Sequence, residues 1–189
     1  MTTANINTIK MTAEQYLMLG EDPPGVRLEL INGEIIVSPS AVPQHSRVIM
    51  KLTRILLNHI EPEQLGEIFG DTDVPFEKHT VRRPDICFYA TANLHRVSPK
   101  RLESPPDLCI EVLSPGNIDD DRVNKFELYR KHGVLNYWII DPDEHRAECF
   151  ALEGGTYRMM AQGGEGDVVN FPPFADLAIN LAELWMPGS

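Results

Sequence analysis

Residues 107–114 read DLCIEVLS and residues 136–141 read NYWIID. Between them lies RVNKFELYRKHG (122–133), preceded by Asp119, Asp120 and Asp121. Runs this apolar and this short suit strands covered on both faces. The intervening segment has acids at its front, bases at its back and Gly133 as a stop, which is the charge order a helix dipole favours. A strand, a helix and a second strand in this order set an α/β core.

Working outward, LGEIF (65–69), DVPFE (73–77) and DICFYA (85–90) read as further strands. From Gln44 to Ile60 the residues Val48, Ile49, Leu52, Ile55, Leu56 and Ile60 recur at three- and four-residue spacing, the stripe of an amphipathic helix, with Pro62 helping to stop it. Before it, VRLELINGEIIVSP (26–39) places Asn32-Gly33 between two alternating segments, which predicts a β-hairpin on a type I′ turn. Thr12 reads as the N-cap of a short helix ending at Gly20. The tail, with AECFALE, TYRMMAQ and a last element up to Trp185, reads as another hairpin and a closing piece.

The 189 residues are 42% hydrophobic and 24% charged, which excludes a disordered chain, and no repeat or linker interrupts them. One domain over 1–189 is expected. No apolar run approaches the roughly 18 residues of a membrane span, and the N-terminus MTTANINTIK lacks the basic and apolar regions of a secretory signal, so a cytoplasmic protein with no membrane partner is expected. Cys87, Cys109 and Cys149 each sit in an apolar stretch and read as buried thiols rather than a disulfide framework or zinc cage. A net charge of −11 argues against nonspecific coating of nucleic acid. The segment from Lys78 to Lys131 nevertheless carries ten Lys or Arg against eight Asp or Glu, so the middle of the chain is where an anionic substrate is tolerated.

Three polar residues are attached to this apolar framework where burial is costly. Asp85 opens a strand directly after Pro84, Glu111 interrupts CIEVL, and Lys125 lies on the following helix. Two carboxylates on neighbouring strands make a hard-oxygen site suited to Mg²⁺ or Mn²⁺, and a lysine beside them completes a hydrolytic site. Read singly, each also fits a structural role: a strand opener, an exposed strand position and a charged helix face. Ser114-Pro115-Gly116-Asn117 lacks the spacing of a phosphate-binding loop, and DPDEHR (141–146) reads as a solvated turn. Tyr129, Tyr137 and Trp138 read as core rather than as base-stacking platforms.

The segments RRPDICFYA (82–90), PPDLCIEVLSPGN (105–117) and RVNKFELYRKHGVLNYWIIDP (122–142) resemble the bacterial "putative restriction endonuclease" family of the Uma type, within the PD-(D/E)xK nuclease superfamily. The likeness extends to LELINGEIIVSPS, to the helix opening near His45 and to FADLAINLAELW. It implies an α/β (α+β) restriction-endonuclease-like core, a central mixed sheet flanked by helices with N- and C-terminal β-hairpin additions, and metal-dependent hydrolysis of DNA phosphodiester bonds. Asp85 matches the strand-opening Asp of the superfamily motif and Glu111 its second acid. Leu113 stands where that motif has lysine, so Lys125 is the candidate replacement.

On this resemblance Asp85 and Glu111 would hold one Mg²⁺ or Mn²⁺, with water and a main-chain carbonyl of Cys109, Ile110 or Val112, and Lys125 would orient water or offset charge on the phosphate. His45 is the candidate for a further group, followed by Glu29 and Glu34. The basic residues Arg82, Arg83, Lys100, Arg101 and Arg122 are expected to approach the phosphates, and a homodimer using the apolar tail strands suits double-strand cleavage. The competing expectation is a catalytically inactive member of the fold that binds nucleic acid or a protein partner, favoured by the acidic charge and by Leu113. A small-molecule hydrolase on another fold has no G-x-S-x-G motif to support it.

Overall fold

The computed structural model describes residues 10–39 and 41–186. The first nine residues, which carry most of the stretch read for a secretory signal, and Ser40 of the hairpin motif lie outside the described residues. Helix α1 (Ala13–Leu17) is capped by Thr12 in a capping box with Gln15 and is shorter than expected. The hairpin forms from β1 (Val26–Ile31) and β2 (Glu34–Pro39). At its turn Asn32 and Gly33 take φ of 52° and 86°, the positive pair that a type I′ turn requires. Helix α2 (Pro43–Glu63) starts with a proline at its first position, where the missing N–H costs nothing. Pro62 lies inside its last turn, and the helix ends instead at Gln64, which is left-handed at φ 51°.

The remaining strands are β3 (Gly66–Gly70), β4 (Val74–Glu77), β5 (Thr80–Arg82), β6 (Ile86–Ala90), β7 (Leu108–Val112), β8 (Asn136–Asp141), β9 (Arg146–Glu153), β10 (Thr156–Gly163), β11 (Val168–Val169) and β12 (Ile179–Asn180). A π-helical segment (Asp120–Lys125) runs directly into helix α3 (Phe126–Lys131), and Gly133 follows in the left-handed conformation. The central sheet is mixed and six-stranded, in the order β10-β9-β8-β7-β6-β3, and its parallel pair is β7 and β8.

Two expectations change here. The C-terminal hairpin β9–β10 is not an addition, because β9 pairs with β8 along its length and extends the central sheet. Strand β4, expected in the core, turns back on the unanticipated three-residue β5 and joins the N-terminal hairpin in a second sheet, β2-β1-β5-β4.

Strand alternation divides the core into two layers. Leu108, Ile110 and Val112 of β7, with Trp138 and Ile140 of β8, meet Val48, Leu52, Leu56 and Ile60 of α2 on one face of the central sheet. Cys109 and Leu113, with Tyr137 and Ile139, meet Val74, Phe76 and Tyr129 on the other. Glu111 falls between Cys109 and Leu113 and so belongs to the second face. Cys87, Cys109 and Cys149 are buried free thiols. Among the described residues no helix is long and apolar enough to cross a membrane.

The α2 stripe carries much of the first layer. Leu56, fully buried, is expected to cost about 2–5 kcal/mol when cut to alanine, as large-to-small core changes do. Met50→Ala, on the exposed side of the same helix, is expected to cost under about 0.5 kcal/mol. Urea unfolding of both variants checks the assignment of faces.

Candidate active site

The register of β6 and β7 brings the two acids together. Ile86 pairs with Ile110 and Cys87 with Cys109 in an antiparallel ladder, and Asp85 follows one step beyond its last pair, at the end of the ladder nearest Glu111. Both side chains are buried, Asp85 at 5% exposure and Glu111 at 1%. The Asp85 carboxylate folds over the end of β7: Oδ2 accepts the Val112 amide at 2.8 Å and lies 3.2 Å from His45 Nε2. Because an ionised carboxylate only accepts, Nε2 carries the His45 ring proton. Oδ1 accepts from Arg27 Nη1 of β1 at 2.9 Å.

The π turn delivers the third group. Lys125 Nζ lies 2.8 Å from Glu111 Oε2 and 2.7 Å from Asp121 Oδ1, and Tyr129 donates its hydroxyl to Glu111 Oε1 at 2.6 Å. In a continuous α-helix residues eight apart drift around the axis. Underwinding the first half, where hydrogen bonds span five residues instead of four, brings Asp121, Lys125 and Tyr129 back onto one stripe. All three are buried.

These contacts set the charges. Burial opposes ionisation of Asp85, but the His45 hydrogen bond and the Arg27 and Lys125 cations hold its carboxyl well below the usual carboxylate range. Its folded value is depressed, so its stabilisation is complete above the ordinary Asp range and is lost only as pH falls beneath it. Burial pushes Glu111 up, to about 8, despite the pull of Lys125 and with Asp121 and Asp85 adding to the rise. Burial pulls Lys125 down, yet Glu111 and Asp121 carry it above the usual lysine range. Three carboxylates face two cations in this cluster, and that excess of negative charge adds to the rise of Glu111 that burial causes.

Asp85, Glu111, Lys125 and His45, selected from the sequence, therefore meet. Leu113, in the usual place of the lysine, is packed in the second layer, and the ammonium reaches Glu111 from the helix instead. Glu29 is diverted: its carboxylate accepts the Arg83 amide at 2.8 Å and lies 3.3 Å from Arg82 Nε. Glu34 is exposed on β2. The expected basic surface is largely consumed. Arg82 is buried at 2% exposure in ion pairs with Glu29 and Asp120, because its place on β5 turns it between the two sheets. Arg83 pairs with Asp22 and Asp73, Arg101 with Glu103, and Arg122 with Glu148.

Asp121, Tyr129 and Arg27 were not selected. Asp121-x-x-x-Lys125-x-x-x-Tyr129 was visible as a spacing, but the Asp119–Asp121 run reads as a helix start and Tyr129 as core. Arg27 gives no sequence signal, since its partner lies 58 positions away.

The fold recurs in a solved structure. A crystal structure described as a putative nuclease belonging to DUF820, from Anabaena variabilis ATCC 29413, superposes with a TM-score of 0.74 at 23% identity, covering 92% of this chain and 97% of that one. The chain belongs to the Uma2 family, "Putative restriction endonuclease", whose model matches residues 13–182. Two Synechocystis sp. (strain ATCC 27184 / PCC 6803 / Kazusa) proteins are similar to it. The uncharacterized protein sll1609 is 27% identical over 85% of this chain and 92% of its own length. The uncharacterized protein slr1290 is 24% identical over 69% and 68%.

Lys125→Met would leave Glu111 and Asp121 buried without their shared cation, an expected loss of about 3–5 kcal/mol at neutral pH. Without the ammonium both carboxyls rise further; Glu111, already raised to about 8 beside Lys125, keeps its proton to higher pH in the variant than in wild type, so the loss grows as pH rises through that value. Urea unfolding of wild type and variant at about pH 7 and about pH 9 tests both magnitude and sign; a gap that narrows in alkali contradicts the ion-pair account.

Proposed function

We propose that this protein is a metal-dependent endonuclease that hydrolyses DNA phosphodiester bonds at Asp85, Glu111 and Lys125. The observation that carries the reading is a pair of buried carboxylates from adjacent strands, Asp85 at the mouth of β6 and Glu111 on β7, with a buried ammonium seated between Glu111 and Asp121. Burying such a group of charges is costly, and an apolar trio would serve the fold as well or better.

The donor set fits a hard divalent ion. Each carboxylate oxygen has two lone pairs. Asp85 Oδ1 and the two Glu111 oxygens each accept one contact, from Arg27, Tyr129 and Lys125 respectively, and keep a second pair. Among the described residues no three Asp, Glu, His or Cys side chains already form a metal cage. Mg²⁺ needs only one or two carboxylates and completes its shell with water and substrate phosphate. Asp85 and Glu111 would hold the ion, whose chemistry is Lewis-acid polarisation of the phosphate and a lowered pKa for bound water.

The protein supplies the rest. Lys125, fixed by Asp121 and Glu111, places a permanent positive charge where negative charge grows on the phosphate. Tyr129 and His45 orient Glu111 and Asp85 and are positioning residues. Outside the site, Arg47, Lys51 and Arg54 follow one another on α2, and no acid occurs between Pro43 and Ile60, which offers a backbone-binding face on an otherwise acidic molecule.

The inactive-fold reading draws on one observation, that Asp85, Glu111 and Lys125 are all under a tenth exposed. Two measurements separate the readings. Wild type is expected to nick plasmid DNA in Mg²⁺ or Mn²⁺, and Glu111→Gln to lower the rate by about 10²–10³ while remaining folded. Calorimetric Mg²⁺ binding is expected to disappear in Asp85→Asn. A wild type that neither binds the ion nor cuts DNA sinks the proposal and leaves the inactive fold.

A further inference from the structure

Arg27 carries more hydrogen-bonding capacity than the Asp85 contact uses. Its Nη1 donates to Asp85 Oδ1, but its Nε and Nη2 atoms are buried and make no hydrogen bond. Nε and Nη2 form the side-on edge of the guanidinium, the fork that grips two oxygens of a carboxylate or phosphate. The charge facing that edge is Asp71, whose Oδ1 stands 3.3 Å from Nε without hydrogen-bonding geometry. Donors desolvated in this way are expensive to leave unmade.

The surroundings show from which side a partner would arrive. Side-chain exposure falls from 70% at Asp71 to 25% at Arg27 and 4% at Asp85. Asp71 lines a cleft with Asp22, Val26, Asp73, Arg83 and Lys100, and Arg27 lies behind that lining rather than in it. Arg27 thus stands between the cleft and the carboxylate cluster, with Nη1 on Asp85 and the covered Nε beside Asp71 of the cleft wall.

We propose that the Nε/Nη2 fork of Arg27 is a phosphate subsite, which takes two oxygens of a DNA backbone phosphate arriving through this cleft. Asp71 is a displaceable rim carboxylate that holds the fork's place until the phosphate enters. Nη1 keeps Asp85 throughout, so one guanidinium ties the substrate phosphate to the carboxylate beside Glu111. The inference rests on the nuclease reading for the identity of the ligand, but it concerns binding and not hydrolysis.

The test is equilibrium binding of a short fluorescent DNA duplex to the full chain at low salt with divalent ions chelated, so that no cleavage occurs. Asp71→Asn removes the competing carboxylate and is expected to tighten binding several-fold. Arg27→Lys keeps a charge beside Asp85 but loses the fork, and is expected to weaken binding about tenfold. Glu61→Gln makes the same change of charge as Asp71→Asn at the far end of α2, about 24 Å along the helix from His45, and reports the general effect of net charge. An Asp71→Asn protein no tighter than Glu61→Gln overturns the subsite, and so does an Arg27→Lys protein with wild-type affinity. If Arg27→Lys does not fold, the Asp71 and Glu61 pair still decides.

The outcomes also separate the two proposals. Opposite responses of Arg27→Lys and Asp71→Asn in a protein that never cuts DNA uphold the subsite and sink the hydrolytic reading. A protein that cuts in Mg²⁺ but shows neither response keeps its activity and loses the subsite. Wild type that binds no duplex at low salt overturns the subsite outright.

Discussion

Asp85 is the carboxylate on which the architecture of the site depends. One side chain receives a main-chain amide from the end of β7, a ring nitrogen from the first turn of α2 and a guanidinium from β1. Those elements come from the central sheet, the helix covering its other face and the second sheet. Buried in so dry a place, an unpaired carboxylate would protonate; three donors keep it charged. The Arg27 donor also ties the N-terminal hairpin to the central sheet, so site and fold share a hydrogen bond.

The second sheet is held to the first by charge as much as by apolar contact. Leu30, Val81 and Tyr16 form only a small cluster of their own. Around it, Arg82 joins Glu29 to Asp120, and Arg83 donates its main-chain amide to the Glu29 carboxylate while its guanidinium pairs with Asp22 and Asp73. This explains why two of the basic residues expected to approach phosphates, Arg82 and Arg83, are not a free basic surface. They lie where strands from two sheets converge, and each is answered by carboxylates from other elements. A local charge count along the chain cannot see those partners, because they lie tens of residues away.

The parts of the site that were legible share one property: they break an apolar pattern. Glu111 between Ile110 and Val112, and Asp85 at the mouth of DICFYA, are costly wherever the strand is covered, so sequence alone singles them out. The Asn32-Gly33 turn and the α2 stripe were legible for the corresponding reason, that local backbone preference and side-chain period each have one good solution. Asp121 was hidden because acids at a helix start are ordinary, and only the π turn rotates it onto the stripe of Lys125. Tyr129 was hidden because its ring is core and only its hydroxyl is chemistry. Strand β5 was missed because three residues carry too little periodicity to register, although pairing with β1 and β4 holds it in place.

Position 113, two residues beyond Glu111, offers a lysine poor surroundings. It lies on the same face as Glu111, within the buried apolar cluster that includes Tyr129, Tyr137 and Val134. A lysine there would have to desolvate its whole stem and find its only anion at Glu111. From the helix, Lys125 reaches the same carboxylate and gains Asp121 as a second, so its charge is answered twice within hydrogen-bonding distance. The helix also brings Tyr129 to the other Glu111 oxygen, which no strand residue at 113 could do. Moving the ammonium therefore exchanges one strand contact for a three-residue helical brace and frees Leu113 to pack the layer beneath it.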